Sequence, residues 1–397
     1  MTLLLGRSSL MLAFTAAALF TPLERIEQPL VLVEDGFILD VTSQAHREIP
    51  ANARVANFHD GILVPAFIDM HIHGGAGHDV MEAVDGALPA VEQLLARHGV
   101  ASYLPTTVTA PTDTILSAMQ RLADAIDHAH NNHPTDGLRA RPLGIHLEGP
   151  FISHRRPGVH PTQNLLRPTP EMFDRFWEAS RGHIRVMTIA PELPGAREVI
   201  AAAARRGVCV SLGHSDATLA AARVAVDAGA RHSTHTFNAM RPLDHRDPGI
   251  IAEVLTDTRV SADIIADGIH LDPTMVKLFL RAKGAEKSVL ITDATSATGM
   301  PDGSYPLGSL EVQVKAGRCV AGERLAGSVL TMDRAIQNVM NFAEWDLQQA
   351  VRLATLNPAR VTGLDKRGML KPGAWADIVA LTPNGEVKNT IIGGSGL

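Results

Sequence analysis

The chain has 397 residues, of which 45% are hydrophobic and 20% charged, so it can bury a large core in one or more domains. A net charge of −6 with no basic stripe argues against a nucleic-acid-binding protein, and beyond the N-terminal segment no apolar run is long enough to span a membrane. Cys209 and Cys319 supply no disulfide framework, so a reducing, cytoplasmic location is expected.

The N-terminal segment allows two interpretations. Arg7 followed by the apolar run 10–20 is typical of a signal peptide. The rival interpretation is a β-strand over 12–20 that pairs with a hairpin over 30–41, whose two apolar runs flank an Asp-Gly turn. The strand is favoured because the hairpin gives it a partner, and the first ten residues are then expected to form a poorly ordered extension.

From residue 62 onward, apolar strands alternate with helical stretches, and the first strand occupies the apolar run 62–68. The predicted strands begin at Leu63, Val100, Pro142, Ile184, Val208, Ala230, Val260 and Ser288. The predicted helices cover residues 88–98, 112–130, 195–206, 216–227, 249–255 and 273–281, and the polar stretch 131–141 is predicted to be a loop. Strands that alternate with helices pair in parallel, and eight of them predict a (β/α)₈ barrel of the TIM type.

The two ends of the chain both carry short β-patterns. After the last barrel strand, residues 298–325 read as Gly-rich strands, two helices are predicted over 331–342 and 347–354, and residues 368–381 return to a β-pattern. We therefore expect a small β-sandwich domain formed by residues 1–61 together with 366–397, and a hydrolase barrel over residues 62–365.

Side chains of metal-ligand type follow several predicted strands, at the end of a barrel where catalytic residues lie. They are His71, His73, Glu148, His214, His235 and Asp293. Side chains two apart on a strand share one face, so His71 and His73 project together. Glu148, His214 and His235 supply three nitrogen or oxygen ligands, which is the composition of a catalytic zinc site.

The remaining side chains extend this prediction. His71 and His73 can complete a second metal position, with Glu148 as the bridge between the two. A carboxylate beside the metal, Asp293, can take a proton from water and pass it to a leaving group. Because a bound metal lowers the pKa of water toward neutrality, hydrolysis is the predicted reaction.

Seven sequence strings together resemble the N-acetylglucosamine-6-phosphate deacetylase family of the amidohydrolase superfamily. They are Pro-Ala-Phe-Ile-Asp-Met-His-Ile-His-Gly at 65–74, His-Leu-Glu-Gly-Pro-Phe at 146–151, Gly-His-Ser at 213–215, His-Thr-Phe-Asn-Ala-Met at 235–240, Asp-Gly-Ile-His at 267–270, Thr-Asp-Ala at 292–294 and Leu-Ala-Gly-Ser at 325–328. They occur in the family's order over nearly the whole chain. The strings at 146–150 and 235–240 are specific to this family, whereas His-x-His marks only the superfamily.

The resemblance implies metal-dependent hydrolysis of the acetamido group of N-acetylglucosamine 6-phosphate, which gives glucosamine 6-phosphate and acetate in amino-sugar catabolism. It implies that Glu148, His214 and His235 hold the metal, that Asp293 is the general base and acid, and that His160 polarises the amide carbonyl. It also implies a set of residues that bind the sugar and phosphate, namely Val159, His160, Asn238, Ala239, Arg246, Asp267, His270, Leu325, Ala326 and Gly327. Some phosphate contacts are then expected across the interface of a homodimer.

Several alternatives stay open from the sequence. The metal is expected to be Zn²⁺, with Fe²⁺, Mn²⁺ or Co²⁺ as alternatives, and one or two ions can bind per subunit. A rival function is another metal-dependent amidohydrolase that acts on a different N-acyl sugar or a cyclic amide. A non-catalytic scaffold is less favoured, because none of the ligand residues has been lost. Tolerance of other N-acetylhexosamine 6-phosphates is also open.

Overall fold

The computed structural model describes residues 11–131 and 138–396. The predicted extension over residues 1–10, which includes Arg7 of the signal-peptide interpretation, lies outside the described residues, as does most of the predicted loop over 131–141. Leu12–Thr15 is a fully buried strand that pairs with Pro29–Glu34, the first strand of the predicted hairpin. This pairing is the one that the strand interpretation of the N-terminal segment requires.

A barrel of eight parallel strands forms the centre of the described chain. The strands are Phe67–Ile72, Val100–Thr107, Ile145–Glu148, Ile184–Ile189, Cys209–Leu212, His232–Ser233, Ala262–Ile265 and Ser288–Ile291. The first six pair in this order, and so do the last two. The N–H of Thr236 donates to the carbonyl of Asp263 (2.9 Å) between the sixth and seventh strands, and the N–H of Asp293 donates to the carbonyl of His71 (3.0 Å), which closes the circle. The predicted (β/α)₈ barrel is confirmed.

Helices follow or flank the barrel strands and supply much of the apolar packing around them. They are Ala87–Arg97, Thr112–Asn131, Pro170–Ala179, Ala196–Arg205, Leu219–Ala228, Gly249–Thr256, Pro273–Lys283, Met332–Ala343, Leu347–Ala354 and Leu356–Thr362, with a 3₁₀ turn at Thr162–Asn164. The sequence analysis did not predict Pro170–Ala179 or Leu356–Thr362. The start of the first has a recognisable signal, because the side chain of Thr169 accepts from the N–H of Met172 (3.2 Å) and Pro170 occupies the first turn.

Both ends of the chain build two sheets that share one apolar core. One sheet has the order Phe37–Ser43, Pro29–Glu34, Leu12–Thr15 and Arg54–Asn57, and the other the order Val387–Ile391, Ile378–Leu381, Ile62–Pro65, Ala18–Phe20 and Arg25–Glu27. Phe14 and Val31 of the first sheet are buried in the same cluster as Leu63 and Ile378 of the second. The prediction of a β-sandwich formed by both termini is confirmed.

The predicted strand over residues 12–20 is wrong in its extent. Leu12–Thr15 lies in the four-stranded sheet, whereas Ala18–Phe20 lies in the five-stranded sheet, so the chain crosses between sheets at Ala16 and Ala17. Both parts are largely buried, and an apolar run therefore gives no signal of the point at which it changes partner.

The apolar run 62–68 is also two strands rather than one. Ile62–Pro65 pairs with Ile378–Leu381 in the sandwich, and the first barrel strand begins only at Phe67. The two units thus meet within one continuous apolar segment. The domain limits of 1–61, 62–365 and 366–397 stay a prediction.

Two short β-structures lie at the C-terminal end of the barrel, where the predicted ligand-type residues are. Gly74–Gly75 pairs with His78–Asp79 directly after the first strand. After the eighth strand, a small antiparallel sheet consists of Gly303–Leu307, Leu310–Lys315, Arg318–Ala321 and Arg324–Leu325. None of the helices within residues 11–131 and 138–396 is long and apolar enough to cross a membrane.

Candidate active site

The six predicted ligand-type side chains converge at the C-terminal end of the barrel. They are His71 and His73 on and after the first strand, Glu148 at the end of the third, and His214, His235 and Asp293 just after the fifth, sixth and eighth. All six are buried, and the most exposed of them, Asp293, is 7% exposed. Parallel strands end at one face of a barrel, which is why residues distant in the chain meet here.

Glu148 lies between two pairs of histidines. Its Oε1 atom is 3.0 Å from Nε2 of His235 and 3.3 Å from Nε2 of His214. Its Oε2 atom is 3.2 Å from Nε2 of His73 and 3.5 Å from Nε2 of His71. The two carboxylate oxygens thus face different pairs, which is the arrangement expected of a bridging ligand.

Asp293 completes the group on the side of the first strand. Its Oδ1 atom is 3.2 Å from Nε2 of His73 and 3.4 Å from Nε2 of His71, and the two histidine nitrogens are 3.2 Å apart. Ligand atoms arranged as a tetrahedron around a zinc ion are about 3.3 Å from one another. The spacing of His71, His73 and Asp293 therefore suits a transition-metal ion.

The hydrogen bonds of two histidines also fit a metal. Nδ1 of His73 lies 3.0 Å from the carbonyl of Thr106, and Nδ1 of His214 lies 3.0 Å from the carbonyl of Arg156. A carbonyl only accepts, so each Nδ1 carries a hydrogen, and Nε2 is the atom that each ring can offer to a metal. Imidazole Nε2 atoms and carboxylate oxygens that converge in a buried site form a donor set that fits a divalent metal.

Protons compete with a metal for these atoms. Burial lowers the pKa of His214 to about 4, so its ring is neutral at pH 7. Burial also lowers the pKa of His235, but the hydrogen bond and charge of Glu148 outweigh burial and raise this pKa to about 9. Burial raises the pKa of Asp293, but the charge of His71 and the hydrogen bond of His73 outweigh it and hold the pKa below its usual range. Burial also lowers the pKa of His73, but the hydrogen bonds of Asp293 and Glu148 outweigh burial and raise this pKa well above its usual range. Without metal, His73 and His235 therefore carry protons that neutralise part of the carboxylate charge.

His160 is anchored in the opposite way. The N–H of Thr109 is directed at Nδ1 of His160 (3.2 Å), and the hydroxyl of Thr109 lies 2.8 Å from the same atom. A backbone N–H can only donate, so Nδ1 carries a lone pair and Nε2 of the neutral ring carries the hydrogen. Although Glu148, His160 and His214 are close enough to hold an ion, this assignment makes His160 a hydrogen-bond donor.

Two buried aspartates, to which the sequence analysis gave no role, hold the ligand segments in place. Asp69 accepts from the hydroxyl of Thr292 (2.5 Å) and so ties the first strand to the residue before Asp293. Burial raises the pKa of Asp69 to about 6. Asp263, on the seventh strand, accepts from the backbone N–H of His235. Both contacts are between residues far apart in the chain, so no local pattern could have shown them.

A cavity of about 300 Å³ is lined by five of these six side chains, all except His71. The predicted substrate residues that line it are Val159, His160, Asn238, Ala239, His270, Leu325 and Gly327. Val108, Leu307 and Arg324 also line it and were not predicted. The guanidinium of Arg324 donates to the carbonyl of Gly158 (2.8 Å), so it ties the small antiparallel sheet to the loop that carries His160.

The other predicted substrate residues lie around this cavity or away from it. Asp267 is hydrogen-bonded to Nδ1 of His270 (2.7 Å), and Ala326 is fully buried beside the lining. Arg246 lies exposed on the loop 241–248, where its backbone N–H donates to Asp244 (2.8 Å). Within the described single chain, Arg246 is therefore at the surface and not among the residues that line the cavity.

The sequence of residues 62–396 matches the model of the amidohydrolase family. The chain belongs to the amidohydrolase family. This match covers the barrel and the C-terminal strands of the sandwich. It accounts for the strand-end ligand pattern found above, because the superfamily is metal-dependent.

Curated relatives give a finer comparison for this amidohydrolase. It is 36% identical over 371 residues to the N-acetylglucosamine-6-phosphate deacetylase of Lysinibacillus sphaericus, which covers 93% of each chain. It is 41% identical over 323 residues to the N-acetylgalactosamine-6-phosphate deacetylase of Escherichia coli O157:H7, which covers 81% of this chain and 83% of the relative.

Solved structures agree with these relatives. The N-acetyl-D-glucosamine-6-phosphate deacetylase of Mycobacterium smegmatis, a variant of which was solved in complex with N-acetyl-D-glucosamine-6-phosphate, superposes with a TM-score of 0.90 at 34% identity, covering 98% of this chain and 99% of that one. An enamidase with a TM-score of 0.64 at 14% identity, covering 97% of this chain and 95% of that one, shares the fold alone. The resemblance inferred from the seven sequence strings is confirmed.

Proposed function

We propose that this amidohydrolase hydrolyses the acetamido group of N-acetylglucosamine 6-phosphate to glucosamine 6-phosphate and acetate. The observation that carries the proposal is the buried cluster of His71, His73, Glu148, His214, His235 and Asp293, most of which line one cavity. Relatives that are 34–41% identical over most of the chain and carry this class of activity support it.

We propose that Glu148, His214 and His235 hold one divalent metal and that His71 and His73 contribute, with Glu148, to a second position. Zn²⁺ is proposed because imidazole nitrogen and carboxylate oxygen are its usual ligands in catalytic sites. When bound, this metal would polarise a carbonyl and lower the pKa of water, which would allow hydrolysis at neutral pH.

We propose that Asp293 acts as the general base and then as the general acid. Its pKa is held below the usual range by His71 and His73 despite burial, so the carboxylate is ionised and able to accept. It takes a proton from the attacking water and later donates this proton to the nitrogen of the departing amine. His160 donates a hydrogen bond from Nε2 to the oxygen of the amide carbonyl, on which negative charge develops.

The sugar and phosphate are proposed to lie in the cavity of about 300 Å³. Asn238, Ala239 and His270 line it, and Asp267 orients His270. Because Arg246 is exposed in the single chain, it can serve the phosphate of a neighbouring subunit, and we propose a homodimer on that basis. We also propose a cytoplasmic location, where phosphorylated sugars are found.

N-acetylgalactosamine 6-phosphate is a second candidate substrate. The relative from Escherichia coli O157:H7 that is named for this substrate is 41% identical to the chain, compared with 36% for the relative from Lysinibacillus sphaericus. The two substrates differ in the configuration of one hydroxyl group, and the reaction at the acetamido group is the same. A direct comparison of kcat/KM for both sugars decides between them.

The test is amine release by the purified protein from both phosphorylated sugars, with unphosphorylated N-acetylglucosamine as the control. We expect activity on a phosphorylated sugar, its loss after chelation and its return with Zn²⁺. Activity that persists after the metal is shown to be removed would contradict the metal assignment. A metal-loaded protein that cleaves none of these sugars would contradict the proposed substrate.

A further inference from the structure

We infer that Thr109 is a positioning residue that fixes the tautomer of His160 and so presents its Nε2–H to the substrate. The inference rests on the proposed function for the identity of the group that receives this hydrogen bond, the carbonyl oxygen of an acetamide. The tautomer itself follows from contacts within the chain. Thr109 comes shortly after the second barrel strand, Val100–Thr107, which carries none of the predicted ligands.

Thr109 offers two donors to one ring nitrogen. Its backbone N–H lies 3.2 Å and its hydroxyl 2.8 Å from Nδ1 of His160, and both residues are buried, with 1% of Thr109 and 6% of His160 exposed. A hydrogen on Nδ1 would point at the N–H of Thr109 and be repelled by it. The neutral ring therefore keeps its hydrogen on Nε2.

The ligand histidines provide the contrast within the same site. Nδ1 of His73 and Nδ1 of His214 each face a backbone carbonyl, at 3.0 Å, so their Nε2 atoms are free to bind a metal. His160 faces an N–H instead, so its Nε2 atom is a donor and cannot serve as a ligand in this tautomer. The hydrogen-bond partner of Nδ1 thus distinguishes the proposed metal ligands His73 and His214 from the hydrogen-bond donor His160.

Gly149 leaves room for the contact between Thr109 and His160, because it has no Cβ atom. A Cβ atom at Gly149 would lie 2.2 Å from Oγ1 of Thr109 and 3.4 Å from Nδ1 of His160. Gly149 follows Glu148 directly and has a positive φ of 71°. Gly149 thus has no side chain at the point where the hydroxyl of Thr109 contacts the ring of His160.

This tautomer suits an acyl-transfer site. As water attacks the carbonyl carbon, negative charge grows on the carbonyl oxygen, and a neutral N–H donor stabilises that charge without giving up its proton. The opposite tautomer would present a lone pair to the same oxygen and repel it. Asp293 remains the group that moves the proton, so His160 ends the cycle in the state in which it began.

The first test replaces Thr109 by Val and by Ser. Thr109→Val keeps the shape and the backbone N–H but removes the hydroxyl, which makes the shorter of the two hydrogen bonds to Nδ1, so we expect kcat to fall about tenfold with KM and metal content unchanged. Thr109→Ser keeps both donors and should restore kcat to within about twofold of the parent protein. The matched control is Thr107→Val, since Thr107 is fully buried at the end of the strand that precedes Thr109 and its hydroxyl has no hydrogen-bond partner among the described residues.

A double-variant cycle separates positioning from general structural damage. In a His160→Gln background, Thr109→Val should cause no further loss of kcat, because the ring that it orients is gone. An equal tenfold loss in both backgrounds would overturn the inference, and so would a Thr109→Val protein with the kcat of the parent. Failure of Thr109→Ser to recover activity would count against it in the same way.

The tautomer of His160 can also be determined by NMR, without an activity measurement. In the zinc-loaded protein labelled with ¹⁵N-histidine, the signals of His160 are identified by their loss in His160→Gln, and its Nδ1 should show the chemical shift of an unprotonated nitrogen. A protonated Nδ1 would overturn the inference. If the parent protein fails to cleave any N-acetylhexosamine phosphate, the proposed function fails, whereas this spectrum still tests the tautomer of His160.

Discussion

Nε2 of His73 and Oδ1 of Asp293 lie 3.2 Å apart and join the first barrel strand to the last. This contact places the proposed proton carrier next to one pair of histidines, while His214 and His235 face the opposite oxygen of Glu148. Substitution can therefore separate the proposed general base, Asp293, from the proposed metal ligands His214 and His235.

Asp293→Asn should abolish turnover and keep the metal. We expect kcat to fall by at least about 10³-fold, because an amide cannot take the proton of the attacking water. At least one metal ion per subunit, measured by elemental analysis, should remain, since Glu148, His214 and His235 are untouched. His214→Ala is the comparison and should lose metal together with activity. Retained turnover in Asp293→Asn, or full metal content in His214→Ala, would contradict these roles.

Metal affinity should fall as the pH is lowered. The pKa of His235 in the metal-free protein is raised to about 9 by Glu148, which outweighs burial, so a metal must displace a proton from His235 below that pH. From pH 9 down to pH 6, we expect the apparent Kd for Zn²⁺ to rise by at least about tenfold per pH unit. Competition titrations with a chelator of known affinity measure this dependence. An affinity that does not change over this range would show that His235 is neutral without metal.

Gly149→Ala should reduce both stability and turnover. Its Cβ would overlap Oγ1 of Thr109 at 2.2 Å and push it away from His160. The matched control is Gly207→Ala, since Gly207 also has a positive φ, of 79°, but no atom lies within 4 Å of its added Cβ. The control should cost only the backbone strain, about 1 kcal/mol in the free energy of unfolding, and leave kcat unchanged. Equal losses in the two variants would argue against the clash.

Arg246→Ala should weaken binding of the phosphate. If Arg246 reaches the phosphate from a neighbouring subunit, the substitution should raise KM about tenfold with little change in kcat, because a charge-assisted hydrogen bond is lost. Arg97→Ala, at the C-terminal end of the helix before the second barrel strand, is the control and should leave KM unchanged. Sedimentation should show a dimer for both proteins. An unchanged KM in Arg246→Ala would remove this residue from the substrate site.

Much of the barrel, and most of the cluster of ligand-type side chains, could be predicted from local sequence patterns. Buried parallel strands are continuous apolar runs, so all eight barrel strands were anticipated, the first at Leu63 although it begins at Phe67. The ligand-type residues stand directly at the ends of these runs, and the geometry of a barrel brings strand ends to one face. The positions of Glu148 and His214 at this face could therefore be predicted without the angles or distances between strands.

The sequence by itself therefore determined the number of barrel strands, the presence of a sandwich from both termini and the chemical types of the six converging side chains. Only the tertiary structure decided where the run 12–20 changes sheets, that Arg246 lies at the surface of the single chain, and which nitrogen of His160 carries its hydrogen. The physical reason is that each of these depends on a partner distant in the chain. Apolar periodicity reports that a residue is buried, whereas the direction of a hydrogen bond is set by the atom that it meets.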